Sequence, residues 1–171
     1  MTGSAGWYGK FRGSVVDNAD PERLGRVRVL VPDVLGSVPS SWAMPCVPVA
    51  GPQMGVWIVP PVGAGVWVEF EQGDPDYPIW VGGWWGTSAE VPGAALAGPT
   101  ADAAILLQTR GGTGVVLSDV PGPTGGVTLR IAGGAVIEVS QVAITISNGQ
   151  GASIVLSGPT VSFNGGQMTV P

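Results

Sequence analysis

The side chains with chemical potential in this chain are few, and they fall into four groups. Asp74 and Asp76 stand two residues apart in Gly73-Asp74-Pro75-Asp76, the spacing of a carboxylate pair that could share a proton or a divalent ion. Turn chemistry explains the same residues. Gly accepts positive φ, Asp bonds nearby backbone amides, and Pro presets its own φ. A calcium loop would also require more oxygen ligands within a dozen residues. Lys10, Arg12, Arg26 and Arg28 form the only basic cluster, as on a barrel that binds single-stranded nucleic acid. Against that stand a net charge of −5, only seven Lys plus Arg in all, and no interleaving of these residues with aromatics along the sequence. The expectation is a strand face paired with Glu69, Glu71 or a neighbouring subunit. Trp67, Trp80, Trp84 and Trp85 could form a sugar-stacking platform, but such residues more often pack a barrel or a subunit interface. Cys46 stands alone in a chain with no histidine. It has no base to activate it and no partner for a disulfide, so it reads as a small buried residue. No catalytic, cofactor-binding or metal-binding residue is expected.

The elements that position these groups are strands. Val66, Val68 and Phe70 alternate with Trp67, Glu69 and Glu71, the period of a two-faced strand. Ile79 to Val81 forms a second strand beyond the turn Gly73, Asp74, Pro75 and Asp76, so Pro60 to Trp85 is built around a hairpin. Earlier, Gly9–Val16 and Leu24–Val31 flank a turn at Asn18-Ala19-Asp20-Pro21, with Val27, Val29 and Val31 on one face. Prolines 39, 45, 48 and 52 make residues 33–54 a loop, which Trp42 pins to the core. Val56–Val59 is predicted as a further strand. Five short antiparallel strands in this span predict a small closed barrel, of which the OB-fold is one form.

Gly (29) and Pro (16) are abundant, hydrophobic residues make up 44% of the chain, and charged residues only 11%. This composition suits many short strands joined by tight turns better than disorder. No apolar stretch reaches the length of a membrane-spanning helix, and the N-terminus shows no secretion signal. Residues 87–103 are small and punctuated by Gly and Pro, which reads as a linker.

From 104 the pattern changes. Eight strand-like runs, at 105–108, 115–117, 127–131, 135–139, 142–146, 154–156, 161–163 and 168–170, are separated by Gly, Asn or Pro. Val142, Ile144 and Ile146 share a face opposite Ala143, Thr145 and Ser147. No residue after Glu138 carries a side-chain charge. Each run is too short for one chain to wrap a full solenoid coil, so several chains must combine, with three the simplest closure. Val142, Ile144, Ile146, Ile154, Leu156, Val161 and Phe163 then line a dry axis, and Trp84 and Trp85 become trimer contacts where barrel gives way to linker. Eight layers spaced about 4.8 Å apart make a rod of roughly 35–40 Å, longer than the roughly 30 Å hydrocarbon thickness of a bilayer.

Asp20-Pro21…Leu24-Gly25-Arg26-Val27-Arg28-Val29, Trp42-Ala43 with its Pro-rich loop, Val66-Trp67-Val68-Glu69-Phe70 and Gly73-Asp74-Pro75-Asp76…Pro78-Ile79-Trp80-Val81-Gly82 together cover about residues 9 to 85. In combination they make the sequence resemble the spike proteins of contractile injection systems: phage baseplate assembly protein V, phage tail-spike OB domains and the valine-glycine-repeat proteins of type VI secretion. The resemblance implies an all-β chain, with a five-stranded OB-fold barrel (1–86), a linker (87–103) and an intertwined trimeric β-helix needle (104–171). It also implies a homotrimer, a separate baseplate hub protein at the OB end, a small PAAR-type protein at the needle tip, and mechanical action on a target membrane. The place of action would be a virion baseplate or an injection particle assembled in the cytoplasm. Three departures stand out. The linker has no room for a lysozyme-like domain, no hub-like region precedes the barrel, and no histidine is available for an iron site near the tip. The main alternative is an adhesive, carbohydrate-binding trimeric fibre, and the next is a nucleic-acid-binding barrel.

Overall fold

The computed structural model describes residues 6–96 and 104–170. The chain divides into two compact units, Met1–Glu90 and Val91–Pro171.

The first unit contains β1 (Phe11–Asp17), β2 (Arg28–Leu30), a single helical turn α1 (Pro32–Leu35), β3 (Met44–Pro45), β4 (Ala50–Gly51), β5 (Met54–Gly55), β6 (Gly65–Phe70) and β7 (Pro78–Trp84). Five of these strands form one sheet in the order β2-β1-β6-β7-β3. The sheet curls because its two edges meet. Val27, just before β2, and Ala43, just before β3, exchange backbone hydrogen bonds of 3.2 and 2.8 Å. The Ser40 amide adds a bond to the Val29 carbonyl. The alternating valines read from the sequence turn into this barrel: Val15, Val27, Val29, Val31, Val66, Val68, Phe70 and Trp80 are all buried. A Val side chain so placed contributes about 1.5–3 kcal/mol relative to leaving it exposed.

Three expectations for this unit are corrected. Val56–Val59 is not a strand. Among the described residues, only the Val56 amide is engaged, donating to the Val49 carbonyl at 3.1 Å beside the β4–β5 pair, and Trp57 and Ile58 are exposed. The short hairpin lies just upstream, β4 with β5, turned at Pro52-Gln53, where Gln53 takes φ 57°. The fifth strand of the sheet is β3, and it runs parallel to β7 rather than antiparallel. Cys46 is exposed. Its amide donates to the Trp80 carbonyl, which ties the backbone to the sheet edge and leaves the side chain outside.

The second unit opens with a helical turn, α2 (Gly93–Leu96), and continues as β8 (Ala104–Gln108), β9 (Gly114–Ser118), β10 (Gly126–Arg130), β11 (Val136–Val139), β12 (Ile144–Ser147), β13 (Ser153–Ser157), β14 (Thr160–Phe163) and β15 (Met168–Val170). These eight strands form one antiparallel meander in strict sequence order. Tight turns set the registers. Between β12 and β13, for example, the Asn148 carboxamide accepts bonds from the amides of Gln150 and Ala152. Residues 97–103, most of the second half of the predicted linker, lie outside the described residues.

Candidate functional site

The feature with the clearest functional content is one face of the meander. Directly paired residues share a face of a sheet, so the registers define it. Ile105 faces Leu117, Leu117 faces Val127, Val127 faces Val139, Val139 faces Ile144, Ile144 faces Leu156, and Leu156 faces Val161. A second row runs from Leu107 through Val115, Leu129, Ile137, Ile146 and Ile154 to Phe163. The apolar face is therefore continuous over the strands. In the single chain it is open: Ile105 is 68% exposed, Leu107 64%, Val142 54% and Ile146 44%. The opposite face pairs Thr128 with Glu138, Glu138 with Thr145, and Val155 with Ser162. An exposed apolar surface of this extent marks an association face.

The expected interface residues Ile144, Ile146, Ile154, Leu156, Val161 and Phe163 all belong to these two rows. Val142 precedes β12 and is exposed. Sequence reading did not single out Ile105, Leu107, Leu117, Val127, Leu129, Ile137 and Val139, although the same alternation runs through them.

A second assembly of side chains lies on the outer face of the first unit. Arg12 is paired with Trp67 across β1 and β6. The β6–β7 register slips by one residue between Trp67 and Val68, so Trp67 faces Gly82 while Val68 faces Trp80. This bulge at Val81 re-aims the strand. Trp80 points into the core, where its Nε1 donates to the Gly25 carbonyl at 3.1 Å. Trp84, four residues on, points outward. Its indole lies over Gly65, where an added Cβ would approach the ring to 2.7 Å, and its Nε1 donates to the Val66 carbonyl. The Arg12 guanidinium carbon sits 5.6 Å from the Trp67 ring centroid and 5.2 Å from that of Trp84, within cation–π range. Arg26 likewise packs over Trp42. Basic and aromatic residues thus do interleave, in space if not in sequence, because cross-strand pairing joins residues far apart in the chain. Trp42 is half-buried against Arg26 rather than sunk in the core. Trp85 is exposed.

One of the basic residues finds an expected partner, and two find others. Lys10 pairs with Glu69. Arg28 donates to the Ser40 carbonyl. Arg26 pairs with Asp20 and Glu22. Asp20 is the hub of its loop: its carboxylate, 4% exposed, accepts bonds from the amides of Glu22, Leu24 and Arg26 and from the Arg26 side chain. The Arg26 guanidinium, aided by these amides, holds the Asp20 carboxyl well below the usual carboxylate range.

In the turn 71–77, the Asp74 carboxylate accepts from the Asp76 amide at 3.0 Å, and backbone bonds link Glu71 to Tyr77 and Asp74 to Glu71. Gly73 takes φ 79° and is buried; a Cβ there would meet the Gly6 Cα at 2.9 Å. Pro75 is half-buried and Asp76 exposed. Among the described residues, no group of three or more Cys, Asp or Glu side chains is placed to hold a metal ion, and no helix is long and apolar enough to cross a membrane.

Comparison with known families joins the two units. Residues 11–85 match the type VI secretion system/phage-baseplate injector OB domain, and residues 104–169 match the phage baseplate V C-terminal trimerisation domain. The chain belongs to the baseplate spike family. The all-β architecture, with a curled OB sheet and an antiparallel trimerisation sheet, is that of a baseplate spike, and the trimerisation domain supports a homotrimer. The family is structural, and it places the protein in a phage or related injection particle. A comparison with curated proteins gave no match.

Proposed function

We propose that three copies of this baseplate spike bury the apolar face of the meander against one another as a stiff needle, which pierces the target cell envelope when the tail contracts. The open apolar face carries this reading. A face of Ile, Leu and Val facing water would be an aggregation liability, and closure by three-fold symmetry removes it. Val142, Ile144, Ile146, Ile154, Leu156, Val161 and Phe163 lie on the needle axis, and Trp84 and Trp85 form a collar at the barrel. The layout is barrel 1–86, linker 87–103 and needle 104–171. The barrel sits on a separate hub protein, and the far end of the needle takes a PAAR-type tip protein. The work is mechanical, without a catalytic residue, cofactor or nucleic acid. The placement of Arg12 over the rings of Trp67 and Trp84 argues against the adhesive alternative, since it occupies faces on which a sugar would stack.

Light scattering of the full chain at micromolar concentration tests the assembly, with the mass of three chains expected. A monomer would sink the proposal. Co-purification with a baseplate hub protein, retained after deletion of 104–171 and lost after deletion of 1–86, tests the attachment. Envelope piercing is tested by assembling particles with a needle shortened by two hairpins, which should still contract but lose killing or delivery.

A further inference from the structure

We propose that the Arg12–Trp67–Trp84 surface of one protomer receives the acidic turn 71–77 of a second copy, with Arg12 pairing with Asp76 and Glu71 across a barrel–barrel contact. The inference rests on the homotrimer reading and adds to it the contact that orients the barrels.

Symmetry sets the requirement. Three copies closing around an axis meet through heterologous contacts, in which one patch meets a different, complementary patch. The first unit carries two such patches. One is Arg12 with its two indoles. The guanidinium is held by ring faces and, among the described residues, forms no ion pair or hydrogen bond. Its hydrogen-bonding edge therefore remains available for a carboxylate, which it matches in geometry. Arg and Trp are also the residue types that dominate the energetic centres of interfaces.

The other patch is the turn. Glu71, Asp74 and Asp76 are exposed. Asp74 spends one carboxylate oxygen on its own turn, whereas the carboxylates of Glu71 and Asp76 accept no bond from any described residue. The turn is rigid. The Glu71 amide donates to Tyr77, the Tyr77 amide to Asp74, and the Ser41 hydroxyl to the Asp76 carbonyl. Docking it would cost little ordering entropy.

The two patches cannot meet within one chain. Trp84 pairs with Gly65 at one end of the β6–β7 hairpin and Arg12 lies level with Trp67 in its middle, whereas the turn lies beyond the other end, where Phe70 pairs with Pro78, with the Lys10–Glu69 pair in between. Lys10 and Glu69, on the same face, neutralise each other and leave the two ends with opposite net charge. The trimerisation domain holds the barrels at high effective concentration, so even a small contact of this kind forms.

The test uses the full chain with Cys46→Ser, to remove the exposed thiol, and adds Arg12→Cys with Asp76→Cys. A short bis-maleimide should convert the trimer into covalent dimers and trimers on a denaturing gel. Either cysteine alone should give no ladder, because a heterologous contact places unlike residues together. If light scattering still shows trimers but the double variant does not cross-link, or if one cysteine alone links as well, the contact is wrong and the trimer stands. If the chain is monomeric, the homotrimer reading itself fails, and this contact with it. A charge exchange guards against misfolding. Arg12→Asp and Asp76→Arg should each lower the melting temperature of the barrel at low salt, and the double exchange should restore it. A double exchange no better than the worse single variant overturns the pairing.

Discussion

The two units of this chain use the same device, strands with alternating valines and isoleucines, and reach opposite results. In the barrel the apolar face is inside: Val27, Val29, Val66 and Val68 are fully buried. In the meander the equivalent face is outside, with Ile105 and Leu107 about two-thirds exposed. Closure makes the difference. The barrel sheet bends until Val27 and Ala43 join its edges, whereas the meander has no strand to return to its first. Amphipathic alternation fixes which residues share a face. What covers that face is decided by whether one chain is enough to close the sheet.

That contrast can be broken at either end. The largest effect is expected from Ile146→Asp. If the meander face closes against two other copies as proposed, a carboxylate repeated three times on its dry axis costs on the order of several kcal/mol per chain, so light scattering should show monomers while the barrel still melts cooperatively. The converse is Val68→Ala, which removes two methyl-sized groups from the barrel core at about 2–3 kcal/mol. It should lower the barrel melting transition in calorimetry and leave the trimer mass unchanged. If both variants lose the trimer, the two units are not independent. Gly73→Ala forces a left-handed backbone on a residue with a Cβ, at about 1–2 kcal/mol before the clash with Gly6 is counted, and should again act on the barrel alone.

Asp20→Asn sharpens the comparison through pH. The Asp20 carboxyl is depressed in the folded barrel, so the stability it supplies is present above the ordinary carboxylate value of about 3.9 and fades as pH falls through the lower folded value. Wild type and variant should therefore differ most near neutrality and converge in strong acid, in thermal melts followed by the tryptophan signal. The meander has no charged residue after Glu138, so its own transition should hardly move. Lys10→Ala is the smallest change. It breaks an exposed pair worth about 0–1 kcal/mol, and a barrel melting point lowered by more than a core substitution would contradict its placement.

The strands of the meander were legible almost to the residue because each is short, alternates cleanly and ends at Gly, Asn or Pro. The barrel valines were legible for the same reason. Val56–Val59 misled because an apolar run carries no information about whether a ladder partner exists, and here Trp57 and Ile58 have none. Cys46 misled because burial tendency is a statement about residue types, while its backbone is fixed by a bond to Trp80. The outward turn of Trp84 depends on a one-residue bulge at Val81, and a shift in strand register leaves no mark in composition or period. The stacking of Arg12 on Trp67 and Trp84 follows from that bulge and was equally invisible.

Every strand of the meander bonds only to its neighbours in sequence. Contact order is therefore low, and the structure can zip up hairpin by hairpin without waiting for distant segments to meet. The same local wiring makes length a free variable. Duplicating one hairpin inserts two strands, about 9–10 Å of sheet, and returns the chain in its original direction with both faces preserved. Such a sheet can be lengthened or shortened in evolution, or by an engineer, with no change to the barrel that precedes it in the chain.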